Sequence, residues 1–129
     1  MCRGNYRSAW FSSGGYDFVA EAVFPGLQAD GYFLEYDDER SGTFEPLRFV
    51  AKDKVVVLGL VTTKTPALES RDDLKRRVEA AARYVDADRL CLSPQCGFAS
   101  VVEGNALTLD QQRAKLDLVV QTAADLWGS

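Results

Sequence analysis

The run Lys54-Val-Val-Val-Leu-Gly-Leu-Val61 constrains the fold more than any other stretch of the chain. It is a continuous, largely β-branched segment with no alternation of polar and apolar positions. A strand buried on both faces reads this way. The flanking segments are of the two kinds that a layered α/β fold requires. Upstream, Gly31 to Tyr36 is aromatic-rich and predicts a strand. Downstream, Leu90-Cys-Leu92 is a short apolar run that breaks at Ser93-Pro94 and predicts another.

Helical spacing fills the intervals. From Tyr16 to about Val23 the apolar positions Val19, Ala22 and Val23 recur as on a helix, with Asp17 favourable in the first turn and Pro25-Gly26 closing it. Asp37 to Gly42 reads as a charged loop, Phe44 to Val50 as an irregular connection and Thr62 to Glu69 as a polar loop. Ser70 followed by Asp73 resembles a capping box. The helix it opens places Leu74, Val78, Ala81, Ala82 and Val85 on one face, with lysine, arginine and glutamate opposite. Thr108 and Gln111 form a second capping box. Leu116, Val119, Val120, Ala123 and Trp127 then continue at helical spacing to Gly128, a C-cap.

Strands alternating with helical segments, at about 30 residues per unit, mean βα repeats and a parallel sheet. The expected fold is α/β, about four βα units with parallel strands. That is the C-terminal half of a (β/α)8 TIM barrel, whose usual length is about 250 residues. Residues 1–129 then form one partial domain. A half barrel leaves two sheet edges and an apolar interior face exposed unless another chain or segment covers them.

Composition narrows the partners. A net charge of −4 argues against nucleic acid and anionic membrane, which attract basic surfaces. No apolar run approaches the roughly 20 residues of a membrane span, and no signal peptide is expected. Three cysteines do not make a disulfide framework, so a reducing cytoplasm is the expected location. The chain has no histidine, which excludes a Ser-His-Asp triad, a Cys-His dyad and any histidine-ligated metal built from these residues alone.

The chemistry is expected at Cys96. It follows a strand break and precedes Gly97, where the backbone can turn sharply, at the end of a parallel strand where α/β proteins keep their active groups. Cys2 and Glu35 are its candidate partners, and Cys, Glu and Cys from three strand ends would hold zinc. An acidic residue inside the aromatic strand Tyr32–Tyr36 needs a partner; the alternative to a metal is Arg3 or Arg40. Cys91 alternates with Leu90 and Leu92 and is expected in the core. Asp37-Asp-Glu39 is read as a solvated loop and Arg76-Arg77 as a solvated helix face. Glu103 and Asn105, in the loop after the Cys96 strand, are substrate-side candidates.

Cys2-Arg-Gly-Asn5, Leu34-Glu-Tyr-Asp37 and Ser93-Pro-Gln-Cys-Gly-Phe98 occur in this order, with Phe44-Glu-Pro-Leu47 and Val57-Leu-Gly-Leu-Val61 between them. This ordered set resembles the catalytic barrel of the cobalamin-independent methionine synthase family, and more closely its short single-barrel members, over nearly the whole chain. The resemblance implies a zinc ion held by Cys2, Glu35 and Cys96, with a family histidine that would lie one residue before Met1. It implies methyl transfer from 5-methyltetrahydrofolate or a related carrier to the thiol of homocysteine. It also implies that this chain is a C-terminal fragment, inactive unless the other half barrel is supplied. The rival expectation is a metal-free α/β module that oligomerises through its exposed sheet face.

Overall fold

The computed structural model describes residues 6–9, 12–38, 41–99 and 101–128. Three strands, β1 (Gly31–Glu35), β2 (Val55–Val61) and β3 (Leu90–Pro94), form a parallel sheet in the order β1-β2-β3. The strand expected near Cys2 lies outside the described residues. In register, Phe33 pairs with Val57 and Val57 with Cys91, while Glu35 pairs with Gly59 and Gly59 with Ser93.

Alternation across the sheet separates two faces. Tyr32, Leu34, Val56, Leu58, Leu60 and Leu90 point to the helical side, where they join Leu74, Val78, Ala81 and Leu118 in one buried core. Removing each of these leucines from water contributes about 1.5–3 kcal/mol. On the opposite face Phe33 is 69% exposed, Val55 38% exposed and Cys91 exposed. The expectation that Cys91 belongs to the core is therefore corrected. Its strand is right, but its position falls on the face that no described element covers. The exposed apolar interior face expected of a partial barrel is present.

The helices are α1 (Ala20–Gly26), α2 (Arg71–Ala81) and α3 (Leu109–Trp127). α1 begins later than its spacing suggested, because Tyr16 sits in the turn before it, and Pro25 falls inside its last turn. The Ser70 side chain accepts from Asp73 N, and Thr108 and Gln111 cap α3 reciprocally. The irregular segment after β1 contains a short 3-10 helix, Glu45–Phe49.

α3 buries a different stripe from the one its apolar residues marked. Lys115, Leu118 and Thr122 are buried, whereas Leu116, Val120 and Trp127 are 41%, 67% and 37% exposed. The physical reason is that the buried stripe is polar but satisfied. Lys115 reaches Glu69 and Ala67 O, and the Thr122 hydroxyl donates to Leu118 O at 2.7 Å. Among the described residues no helix is long and apolar enough to cross a membrane.

Candidate active site at the carboxyl ends of the strands

Parallel strands present their carboxyl ends together, and here those ends carry Glu35, the Thr62-Thr63-Lys64 segment and the Gln95-Cys96-Gly97 turn. Glu35 is the last residue of β1 and is fully buried. Its backbone is fixed by the Tyr16 hydroxyl, which accepts from Glu35 N at 2.8 Å. Tyr16 is itself packed against Phe24 and Tyr36, with ring centroids 6.3 and 5.4 Å away. The aromatic cluster seen in the sequence thus anchors the strand end that bears the carboxylate.

Next to Glu35 in register lies Gly59. A Cβ there would stand 3.0 Å from Leu34 O and 3.5 Å from Gln95 Cα, so only glycine leaves this spot open. Above it a cleft of about 400 Å³ opens between β1 and β3, with Phe33, Gly59, Ser93, Gln95 and Cys96 in its wall.

Cys96 enters this wall through a constrained turn. Gln95 N donates to Val61 O at 2.8 Å, and the Thr63 hydroxyl donates to Gln95 O at 2.9 Å. Cys96 then adopts φ +52° and Gly97 φ +77°, two left-handed residues in succession. For glycine this is free, but for a residue with a Cβ it costs about 1–2 kcal/mol. The thiol is exposed.

Cys2, Arg3 and Arg40 lie outside the described residues. Among the described residues no group of three histidine, cysteine, aspartate or glutamate side chains could hold a metal. Glu35 and Cys96 supply one carboxylate and one sulfur, donor types that suit zinc.

The loop after β1 departs from the solvated reading. The Asp37 side chain is fully buried in an ion pair with Lys64, whose own side chain is 6% exposed, and Asp38 stands 3.7 Å from the same ammonium. Desolvation forces such a pairing, since an isolated buried carboxylate is far costlier than a paired one. Asp37 Oδ1 has no hydrogen-bond partner among the described residues.

Arg77 is likewise not a solvated helix residue. It donates to Tyr36 O, its guanidinium lies 5.6 Å from the Phe44 ring centre, and burial pulls its pKa down against the opposing pull of Asp37 and Asp38. Lys64 and Thr63 were missed because a lysine and a threonine after a strand carry no motif. Their one usable signal was position, directly beyond the clearest strand in a parallel sheet.

Asn105 donates to Thr63 O at 2.9 Å and to Thr63 Oγ1 at 3.2 Å, and its own Oδ1 is buried with no partner among the described residues. Glu103 is exposed on the turn before it. The loop 62–69 is held from the other side. Glu69 accepts from Thr62 N at 2.8 Å and pairs with the fully buried Lys115 at 3.0 Å.

Known proteins resemble this chain in sequence and in fold. Residues 20–125 match the family model described as the catalytic domain of cobalamin-independent synthase. Two Bacillus subtilis (strain 168) proteins, both called uncharacterized, are similar over 128 residues: YxjH at 61% identity and YxjG at 62%. The alignment takes in 98% of this chain and 34% of each relative, so the chain spans about a third of their length.

Among solved structures, a Listeria monocytogenes protein solved as a candidate vitamin-B12 independent methionine synthase superposes with a TM-score of 0.72 at 40% identity, over 100% of this chain and 34% of that one. A B12-independent methionine synthase from Shewanella sp. W3-18-1, in complex with selenomethionine, gives a TM-score of 0.75 at 21% identity, over 97% of this chain and 36% of that one. The second likeness speaks to the fold alone. With the family model spanning most of its length, the chain belongs to the cobalamin-independent synthase catalytic-domain family.

Proposed function

We propose that this chain is part of a zinc-dependent methyltransferase of the cobalamin-independent methionine synthase type. The methyl group would pass from 5-methyltetrahydrofolate or a related carrier to the thiol of homocysteine, giving methionine. Residues 1–129 would form one partial domain, about four βα units making half of a barrel. The zinc would be held by Cys2, Glu35 and Cys96, and when bound it would stabilise the substrate sulfur as thiolate.

The chain's own residues would do the rest. Tyr16 holds the Glu35 backbone, Gly59 leaves room beside it, and the left-handed turn presents the Cys96 thiol to the cleft. Asn105, on Thr63, and Glu103 would face the substrate side. The single observation that carries the reading is the family match over residues 20–125, which includes Glu35 at the carboxyl end of β1 and Cys96 in the turn after β3.

The cytoplasm is the proposed compartment, with neither nucleic acid nor membrane as partner. Turnover would need the complementary half of the barrel. The face bearing Phe33, Val55 and Cys91, exposed among the described residues, favours a second reading, in which the chain oligomerises through that face and binds no metal.

Zinc per chain by elemental analysis, after dialysis against trace zinc, separates the two. About one zinc in the parent and almost none in Cys96→Ser supports the metal centre. No zinc in either protein rejects it.

A further inference from the structure

Cys96 and Gly97 are left-handed in succession, at φ +52° and +77°, and only the glycine adopts this conformation freely. A residue with a Cβ stays there when its surroundings over-determine it. The restraint lies in the residue before the thiol. Gln95 is 4% exposed, and both of its backbone polar groups are held by the end of β2 and the residues just beyond it. Its N–H donates to Val61 O at 2.8 Å, and its carbonyl accepts from the Thr63 hydroxyl at 2.9 Å.

The second of these bonds acts on the thiol. The Gln95 C=O and the Cys96 N–H belong to one planar peptide group. Rotating that plane changes ψ of Gln95 and φ of Cys96 together. A donor that fixes the carbonyl therefore fixes φ of Cys96, and without it the plane can turn and φ can relax to negative values.

Thr63 is placed to be that donor. It is fully buried, and Asn105 Nδ2 stands 2.9 Å from Thr63 O and 3.2 Å from Thr63 Oγ1. A carbonyl only accepts, so the group facing Thr63 O is the Asn105 amide NH2, which only donates. The Thr63 hydroxyl accepts from it, and its single proton is committed to Gln95 O. Asn105 N donates to Phe98 O at 3.1 Å, which closes the loop that begins with the Cys96 turn. One hydroxyl thus joins the segment after β2 to both ends of the thiol-bearing loop.

We propose that Thr63 is a positioning residue for Cys96: its hydroxyl locks the Gln95–Cys96 peptide group and so holds the thiol in the wall of the cleft. The consequence for metal binding rests on the reading of Cys96 as a ligand given above; the locked turn does not. Supporting groups one step behind a metal ligand typically affect affinity by about 10–100-fold.

Thr63→Val removes the hydroxyl at nearly constant shape, and Thr63→Ser keeps it. A positive φ brings a residue's own amide and α protons close together, so the intraresidue NOE of Cys96 in the isotope-labelled full chain reads the turn. Zinc affinity of the same proteins, by competition with a chromogenic chelator, reads the site. The expected result is a strong Cys96 NOE in the parent and in Thr63→Ser, a weak one in Thr63→Val, and about tenfold weaker zinc binding in Thr63→Val alone. A general loss of stability would leave the NOE of the folded molecules strong, and that result overturns the inference. Unchanged zinc affinity beside a weakened NOE overturns it as well. If the valine variant does not fold, Thr63→Ala loses the same donor and is read in the same way. A parent that binds no zinc but shows the expected NOE pattern overturns the metal reading and supports the locked turn.

Discussion

Replacing Lys115 with methionine tests whether a buried charge on α3 holds the β2 loop in place. The ammonium is fully buried and the Glu69 side chain is 21% exposed, 3.0 Å away. Methionine conserves the volume, so cavity formation contributes little. What is lost is the ion pair and the donor to Ala67 O. Removing one partner of a fully buried pair costs about 3–5 kcal/mol, and an exposed pair contributes about 0–1 kcal/mol.

Glu69 retains some water and the Thr62 N–H at 2.8 Å, which places the expected loss between those limits, at about 2–3 kcal/mol. For a domain of this size that is a fall in melting temperature of roughly 6–15 °C. Urea unfolding followed by circular dichroism gives the free energy directly. The double variant Lys115→Met/Glu69→Gln removes both charges and should recover at least half of the loss. A single-variant cost below about 0.5 kcal/mol, or a double variant no more stable than the single, would refute a buried and mutually dependent pair.

Gly59→Ala should be destabilising by about 1–3 kcal/mol, because its Cβ would meet Leu34 O at 3.0 Å; a variant as stable as the parent in the same urea assay would show that β1 can yield. The same change should lower zinc uptake, since Gly59 lies between Glu35 and Ser93 in register and the methyl group enters the cleft. Asp125 bridges Arg71 and Lys75 of α2, and its hydrogen bond to Arg71 holds its carboxyl below the ordinary value of 3.8. A depressed carboxylate contributes stability above its unfolded pKa and loses it as pH falls through the folded value. The contribution is therefore present at neutral pH and fades below about pH 4, and Asp125→Asn should flatten the stability–pH curve in that window.

Much of the fold was legible because it is written in local patterns. The unbroken apolar run of β2, the aromatic β1 and the capping boxes of α2 and α3 depend on spacing and on side-chain-to-backbone bonds a few residues apart. The place of Glu35 and Cys96 at strand ends was legible for the same reason: a strand that stops at Ser93-Pro94 and a parallel sheet leave little choice of where its next residues go. Family membership followed from short motifs in order.

What only the tertiary structure decided was which polar groups are desolvated and which face of each element is covered. Asp37, Lys64 and Lys115 look like surface residues in one dimension, because their charge partners come from other elements, 27 residues away for Asp37 and Lys64 and 46 for Lys115 and Glu69. Cys91, Leu116 and Val120 look like core, yet all three are exposed on the sheet face and helix stripe they occupy. Local sequence sets what a segment can be. Burial is a property of what the other segments bring to it.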